Sequence, residues 1–419
     1  MKVKTQGDAV FMTVNDVCKA LNISADSVRR WEKQGLIKGK RNENNYRIFD
    51  TEEVSRIQSK LSGISCNENN YKILKNNKSH DIQVIDLFSG AGGTALGFKN
   101  AGLKHKLLVE IDKDASQTLK NNFKSVDVLN EDVSKLCFKK YKNKVDVVEA
   151  GFPCQAFSFA GKKLGFDDTR GTLFFEFARC VKEVSPKVAI GENVKGLISH
   201  DGGKTLDTML SVLDEIGYKV SFKLMKSQYL DVPQKRERLI IMAIRKDLDL
   251  KMLYPKEKNY TVSLKEALEN VPKSEGQAYN EKKHKILKLV PPGGYWKDLP
   301  IDIQKEYMGK SFYLGGGKTG MARRLSWNEP SLTILCSPAQ KQTERCHPEE
   351  TRPLTIRESA RIQTFPDDWA FHGSVNSQYK QVGNAVPVNL GFHIGEALIH
   401  IINKQTDDFK FETVEPIEF

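Results

Sequence analysis

The sequence predicts an α/β protein, an open Rossmann-like sheet preceded by a small all-α unit, and three observations carry that reading. First, the run Ile82-Gln83-Val84-Ile85-Asp86-Leu87-Phe88 reads as a buried strand and leads into Ser89-Gly90-Ala91-Gly92-Gly93-Thr94, a glycine-rich turn between strand and helix. Second, the next apolar run, Leu107-Leu108-Val109, ends on an acid, Glu110, in the strand–turn–helix–strand order of nucleotide-binding sheets. Third, residues 11–32 carry two short helical periods joined by a tight turn, a helix-turn-helix pattern.

The front unit comes first in the chain. Thr13 or Asn15 can cap a helix whose apolar positions run to Leu21, and Ser24 can cap a second helix through Val28-Arg29-Arg30-Trp31-Glu32. Gln34-Gly35 stops it, and residues 41–49, with Tyr46-Arg47, read as a wing. This stretch resembles the winged DNA-binding domains of MerR-like regulators. The resemblance implies DNA contacts at Ser27, Arg29, Arg30, Tyr46 and Arg47, with Ser27 and Arg30 toward the major groove and the wing arginine on a phosphate. A protein-docking domain with a solvated basic face is the alternative. Domain boundaries follow as 1–62 for this unit and 63–80 for a polar linker rich in Asn and Ser. The remainder divides into 81–250 for the main sheet, 251–350 for an irregular insertion, and 351–419 for a return to the sheet with a closing helix.

Composition narrows the class. The 419 residues carry a net charge of +12, which makes a polyanion the leading partner. Half of the excess lies in residues 1–80, where ten Lys and five Arg stand against four Asp and five Glu. Seven scattered cysteines without a CxxC pair point to a reducing, cytoplasmic setting and away from structural zinc or any other metal. No apolar run approaches the ~18 residues of a membrane span, so neither a span nor a leader is expected.

The chemistry concentrates at Val147-Val148-Glu149-Ala150-Gly151-Phe152-Pro153-Cys154-Gln155. The apolar run reads as a strand that Gly151 ends, so Pro153 fixes the backbone of a thiol at the strand's lip. That is the crevice where open α/β sheets bind ligands. A buried structural cysteine is the alternative. Glu110, soon after the glycines, is placed for ribose hydroxyls, and Asp132, after a third strand, for an adenine amino group. Glu192 ends the strand Val188-Ala189-Ile190-Gly191 and shares the crevice, unless it caps a helix. Arg236 and Arg238 flank the strand 239–244, and one of them is expected to face solvent or phosphate.

Asp86-Leu87-Phe88-Ser89-Gly90-Ala91-Gly92-Gly93, Gly151-Phe152-Pro153-Cys154-Gln155, Glu192-Asn193-Val194, Gln234-Lys235-Arg236-Glu237-Arg238 and Gln381-Val382-Gly383-Asn384 stand in this order. The set resembles the ordered motifs of the cytosine-C5 DNA methyltransferases of bacterial restriction–modification systems, over residues 81 to about 400. Ala385 departs from the Ser of many members. The resemblance implies a duplex DNA substrate and S-adenosyl-L-methionine as methyl donor. Cys154 would be the nucleophile at cytosine C6, since a thiolate there gives C5 carbanion character. A protonated Glu192 would serve N3, Arg238 would reach the cytosine O2 and lower the thiol's pKa, and Arg236 would brace the cleft. Phe88, Ser89, Gly90, Gly92, Gly93, Glu110, Ile111, Asp132, Val133, Pro153, Leu173, Asn384 and Val386 would hold the cofactor, and Gln155 and Ser158 backbone phosphates. Residues 160–171 have the glycines and cations of a lid closing behind an extruded base.

The insertion, 251–350, loses periodicity and reads as loops and short strands, the family's target-recognition domain; Arg323 and Arg324 are its candidate DNA contacts. The catalytic part is expected to be monomeric, with the front unit as the place where a dimer would form. An RNA cytosine methyltransferase and a regulator with an inactive catalytic domain are the rivals; the basic front and the intact motifs argue against them.

Overall fold

The computed structural model describes residues 5–6, 9–21, 25–33, 37, 39–42, 45–51, 54, 57, 70–153, 173–314, 320–405, 407 and 409–419. Cys154, Gln155, Ser158 and the expected lid at 160–171 lie outside the described residues.

The front unit contains β1 (Thr5–Gln6), β2 (Ala9–Thr13), α1 (Val14–Leu21), α2 (Ala25–Lys33), β3 (Gly39–Arg41) and β4 (Arg47–Asp50), with sheet order β1-β2-β4-β3. Thr13 starts α1 reciprocally: Asp16 N–H donates to its hydroxyl (3.3 Å), and its own N–H donates to the Asp16 carboxylate (3.1 Å). Val17, Leu21, Val28, Ile37 and Phe49 close a small core of its own. The strand β2, which replaces an expected helix lead-in at Phe11-Met12, carries the wing hairpin β3–β4 on its edge.

The main sheet has seven strands: β5 (Gln83–Leu87), β6 (Lys104–Val109), β7 (Asp127–Leu129), β8 (Val147–Ala150), β9 (Val188–Val194), β10 (Tyr218–Lys226) and β12 (Glu237–Arg245). Their order is β10-β12-β9-β8-β5-β6-β7, and β12 runs antiparallel to both its neighbours. The central strands read as continuous Val/Ile/Leu runs because helices cover both faces. α3 (Gly93–Ala101), α4 (Lys113–Asn122), α5 (Leu173–Val184), α6 (Lys204–Glu215) and the closing helix α12 (Val388–Ile402) supply that cover. α12 lies against α3 through glycines. A Cβ on Gly97 would stand 2.5 Å from the Val388 carbonyl oxygen, and one on Gly391 would stand 3.2 Å from the Thr94 backbone. The stretch Val375–Ile402 is apolar and long enough to cross a membrane, but its most apolar window is 83% buried in this core.

The expected linker at 63–80 is described from residue 70 onward. From there to residue 80 the chain is strapped to the catalytic body. Asn70 N–H donates to Glu266 (3.1 Å), Tyr71 OH to the Arg361 carbonyl (3.0 Å) and Leu74 N–H to Asn389 Oδ1 (2.9 Å), while the Leu74 side chain packs on the core. Asn76, which reads as solvated in the sequence, here donates its side-chain amide to the Ala101 carbonyl (3.4 Å).

The insertion also differs from its expectation. It is built from short helices rather than strands: α7 (Leu264–Leu268), α8 (Glu281–Leu287) and α9 (Ile301–Met308). Its first part belongs to the catalytic body, since β13 (Leu253–Pro255) pairs with β15 (Phe411–Thr413) and α7 packs on the main core. A separate core of Leu287, Val290, Trp296, Leu299, Met308 and Ala322 lies in the stretch expected to be the recognition unit. The chain returns through β14 (Ser331–Leu332), paired with β11 (Gln234–Lys235), then α10 (Ile356–Ile362) and α11 (Val375–Asn384).

Candidate active site

Strand order reverses between β5 and β8: the chain runs outward from β5 to β6 and β7, then returns to β8 and continues to β9. A cleft of about 740 Å³ opens at the strand ends there, walled on its far side by Leu335, Cys336 and residues 383–386. Topology therefore places the ligand crevice where the motifs meet.

At the β5–β6 end sits the glycine turn. Phe88 holds φ +58°, a strained conformation for an aromatic residue, and lines the cleft with Ser89 and Gly90. Glu110 fastens the turn, accepting the Gly90 N–H (2.8 Å) on one carboxylate oxygen and the Asp112 N–H (2.7 Å) on the other. Burial raises its pKa. Two lone pairs remain for a ligand in the cleft. Gly93 is required by packing: a Cβ there would stand 2.0 Å from the Val386 carbonyl oxygen. Gly92, at φ +85°, faces Leu119 and Trp369, so it shapes the turn and does not line the cleft. Ile111, Asp132, Val133, Pro153, Leu173, Asn384 and Val386 all line it. The Asp132 carboxylate accepts the Ser134 N–H (2.9 Å), which lowers its pKa.

At the β8–β9 end, Pro153 and Glu192 border the cleft, and Arg238 Nε meets Glu192 Oε1 at 2.7 Å. Neither arginine meets the expectation of facing solvent or phosphate. Arg238 is 13% exposed at its side chain and engaged with Glu192; Arg236 is 1% exposed. Arg236 precedes β12 and donates to the carbonyls of Ile334 (3.2 Å) and Gly383 (3.1 Å), tying the returning chain to the sheet. Burial, with Arg238 nearby, pushes its pKa down to about 9.

The model of the C-5 cytosine-specific DNA methylase family matches residues 82–400. The chain belongs to this family. The methylase is 53% identical over 403 residues to the Type II methyltransferase M.Eco47II of Escherichia coli, covering 94% of this chain and 96% of that one. It is 48% identical over 365 residues to M.Sau96I of Staphylococcus aureus, covering 85% of each. The solved structure of a Spodoptera frugiperda DNMT2 mutant shares the fold, with a TM-score of 0.56 at 18% identity over 76% of this chain and 100% of that one. A MerR family regulatory protein model matches residues 13–49, and the M.Eco47II similarity, at 94% coverage, reaches into this front unit.

The methylase's other expected contact residues divide. Arg324 is not a DNA contact. It is 3% exposed, and its guanidinium is spent on the carbonyls of Val290 (2.7 Å), Leu287 (2.7 Å) and His347 (3.0 Å) and the Thr351 hydroxyl (3.0 Å). Arg323 is half-buried, its guanidinium 5.5 Å from the Tyr295 ring centre. In the front unit Arg29 is exposed and Tyr46 is 70% exposed, whereas Arg47 pairs with Glu32 at 3.3 Å, which braces wing against helix. Ser27 and Arg30 lie on α2, but their side chains fall outside what is described.

Among the cleft-lining residues to which sequence reasoning gave no role are Glu149, Cys336 and Lys380. An acid inside Val147-Val148-Glu149-Ala150 was the available signal for the first. Cys336, whose thiol donates to Asn384 Oδ1 (2.9 Å), and Lys380, paired with Asp112 (2.9 Å), had none. Among the described residues no group of three or more His, Cys, Asp or Glu side chains is arranged to hold a metal ion.

Proposed function

We infer that the methylase uses S-adenosyl-L-methionine to methylate a cytosine extruded from a specific duplex sequence, with Cys154 as nucleophile. The observation that carries the reading is the position of the Glu192–Arg238 ion pair, in the cleft that Pro153, the residue preceding Cys154 in the chain, also lines. The residues fit the donor. A glycine turn that leaves backbone amides at a helix N-terminus, an acid with spare lone pairs and a partly apolar wall suit an adenosine with an amino-acid tail. When bound, that group supplies an electrophilic methyl.

The chain's residues do the rest. Addition of the Cys154 thiolate at C6 makes C5 a nucleophile and places negative charge on the ring. Glu192 answers that charge at N3, and Arg238 reaches the base O2. Since the two are paired in the free protein, their ion pair opens as the base enters. Arg236, held by two carbonyls, keeps the returning chain and the sheet in register beneath them. The front unit adds DNA affinity, as a tether or as a regulator of the enzyme's own promoter, and is where the chain would dimerise. The relatives' Type II designation supports a role in protecting cytoplasmic DNA from a cognate nuclease.

Unmethylated genomic DNA incubated with labelled donor and then bisulfite-sequenced tests the reading, giving base, strand and target together. A duplex containing 5-fluorocytosine should trap the wild-type chain covalently and leave Cys154→Ser free. Methylation by Cys154→Ser at the wild-type rate would overturn the assignment. Footprinting of the DNA upstream of the gene separates the two uses of the front unit: protection lost in Arg30→Ala but kept in Cys154→Ser marks a regulator.

A further inference from the structure

Four carboxyl groups stand on one face of the sheet where it meets the cleft, one for each of four adjacent strands. Asp86 on β5 and Glu149 on β8 are direct Cα partners. Leu108, two residues before Glu110, pairs with Asp86, and Ile190, two before Glu192, pairs with Glu149. Alternation along each strand sets all four side chains to the same side.

The outer two acids have partners: backbone amides for Glu110 and Arg238 for Glu192. The inner two are buried, at 1% exposed for Asp86 and 2% for Glu149, yet both line the cleft. Among the described residues no N–H or hydroxyl completes a hydrogen bond to either carboxylate oxygen of Asp86, and the Ser89 hydroxyl is spent on the Asp86 carbonyl. Two adjoining carboxylates so buried do not both ionise. Burial raises Asp86 to about 7, and burial with the Asp86 charge raises Glu149 well above the ordinary range.

We propose that Glu149 is a positioning residue for the methyl donor: it holds one proton against Asp86, so that the pair sets a single negative charge beneath the donor's sulfonium. This rests on the reading that the cleft takes S-adenosylmethionine. Strand order supplies the geometry. With the ribose at Glu110 and the target base at Glu192, three strand spacings or about 14 Å apart, the sulfonium lies over the two central strands. A charge there favours the cationic donor over its neutral thioether product. Other charged groups around the cleft are Glu110 and Asp112 beyond β6, Glu131 and Asp132 beyond β7, Glu192 on β9, Arg236 and Arg238 at β12, and Lys380 on α11. Of these Glu110, also raised by burial, is the one to be separated from the pair.

Calorimetric titration of the full chain with S-adenosylmethionine and, separately, S-adenosylhomocysteine from pH 5.5 to 8.5 tests the proposal. Donor affinity should fall as pH drops through about 7, approaching tenfold per pH unit, while product affinity stays level. Glu149→Gln leaves Asp86 buried and gives it an amide, a weaker hydrogen-bond donor than an acid O–H, so the fall in donor affinity should persist and move to higher pH. Asp86→Asn should be flat at the low-pH affinity. Glu110→Gln should weaken both ligands and keep the donor-only slope. Parallel profiles for the two ligands in the wild type, or an unchanged donor profile in a folded Glu149→Gln, would overturn the role of the pair. Failure of the wild type to bind the donor at any pH would instead bring down the cofactor reading on which it stands.

Discussion

Arg238 and Glu192 meet at 2.7 Å across adjacent antiparallel strands, and Arg238 stands opposite Val194 while Glu192 stands opposite Ile240. The pair is thus a diagonal contact two positions apart in register, set by the sheet rather than by a loop. Glu192→Gln should slow single-turnover methylation roughly 10²–10⁴-fold, the range for a lost acid–base group, with donor affinity nearly unchanged. Glu110→Ala should reverse the pattern, weakening the donor roughly tenfold or more as the glycine turn loses two charge-assisted bonds. Equal losses of donor affinity in both variants would show that one of the acids is misassigned.

The two adjacent arginines of the recognition unit should separate in a melting experiment. Arg324→Met removes donors from the carbonyls of Val290, Leu287 and His347 and from the Thr351 hydroxyl, and should lower stability by about 3 kcal/mol or more. Arg323→Ala should leave the melting temperature within a degree or two. If Arg323 meets a phosphate, this variant should also weaken DNA binding and reduce the salt dependence by about one unit of slope.

A chain that starts at residue 70 should keep the melting of the catalytic body and methylate the same target sequence. One that starts at Asp81 loses the Tyr71 and Leu74 contacts and leaves Asn389 Oδ1 without its amide. Its melting temperature should fall by several degrees, since a buried polar group without a partner costs about 1–3 kcal/mol. Identical melting of the two chains would show that the strap contributes nothing.

Asp231, 2% exposed, accepts from Lys258 (2.6 Å) and His393 (2.8 Å) and from the Tyr260 hydroxyl, and these partners hold its pKa well below the usual range against the effect of burial. A carboxylate depressed in the folded state contributes stability that is fully present above its unfolded pKa of about 4 and is lost as pH falls toward the folded value. Asp231→Asn should therefore cost about 3–5 kcal/mol at neutral pH. The gap to wild type should narrow below pH 4 in denaturant titrations.

Much of the site could be read from the chain because its motifs sit at strand ends, where apolar runs stop and chemistry begins. Phe88, Glu110, Pro153 and Glu192 are all of that kind. Glu149 escaped because it lies inside an apolar run, where one acid among valines counts as noise until its partner on the next strand is known. Arg324 misled for the converse reason: a guanidinium in a polar, aperiodic stretch looks like a DNA contact, while its acceptors lie up to 37 residues away. The strap at 70–80 and the short helices of the recognition unit share that cause. Their partners come from distant segments, and local composition carries no record of them.

The close fit of Gly93 beneath the Val386 carbonyl has a consequence for how the protein is made. A ribosome delivers the glycine turn early and its wall last. Until Val386 has left the exit tunnel, the nascent chain carries the motif residues without a closed pocket and is inert toward the donor. Among the described residues the core of the front unit draws only on positions up to 57, so this unit can fold as soon as it emerges. On the role proposed for the front unit, affinity for DNA thus precedes the capacity to modify it, and the order of synthesis alone imposes the delay.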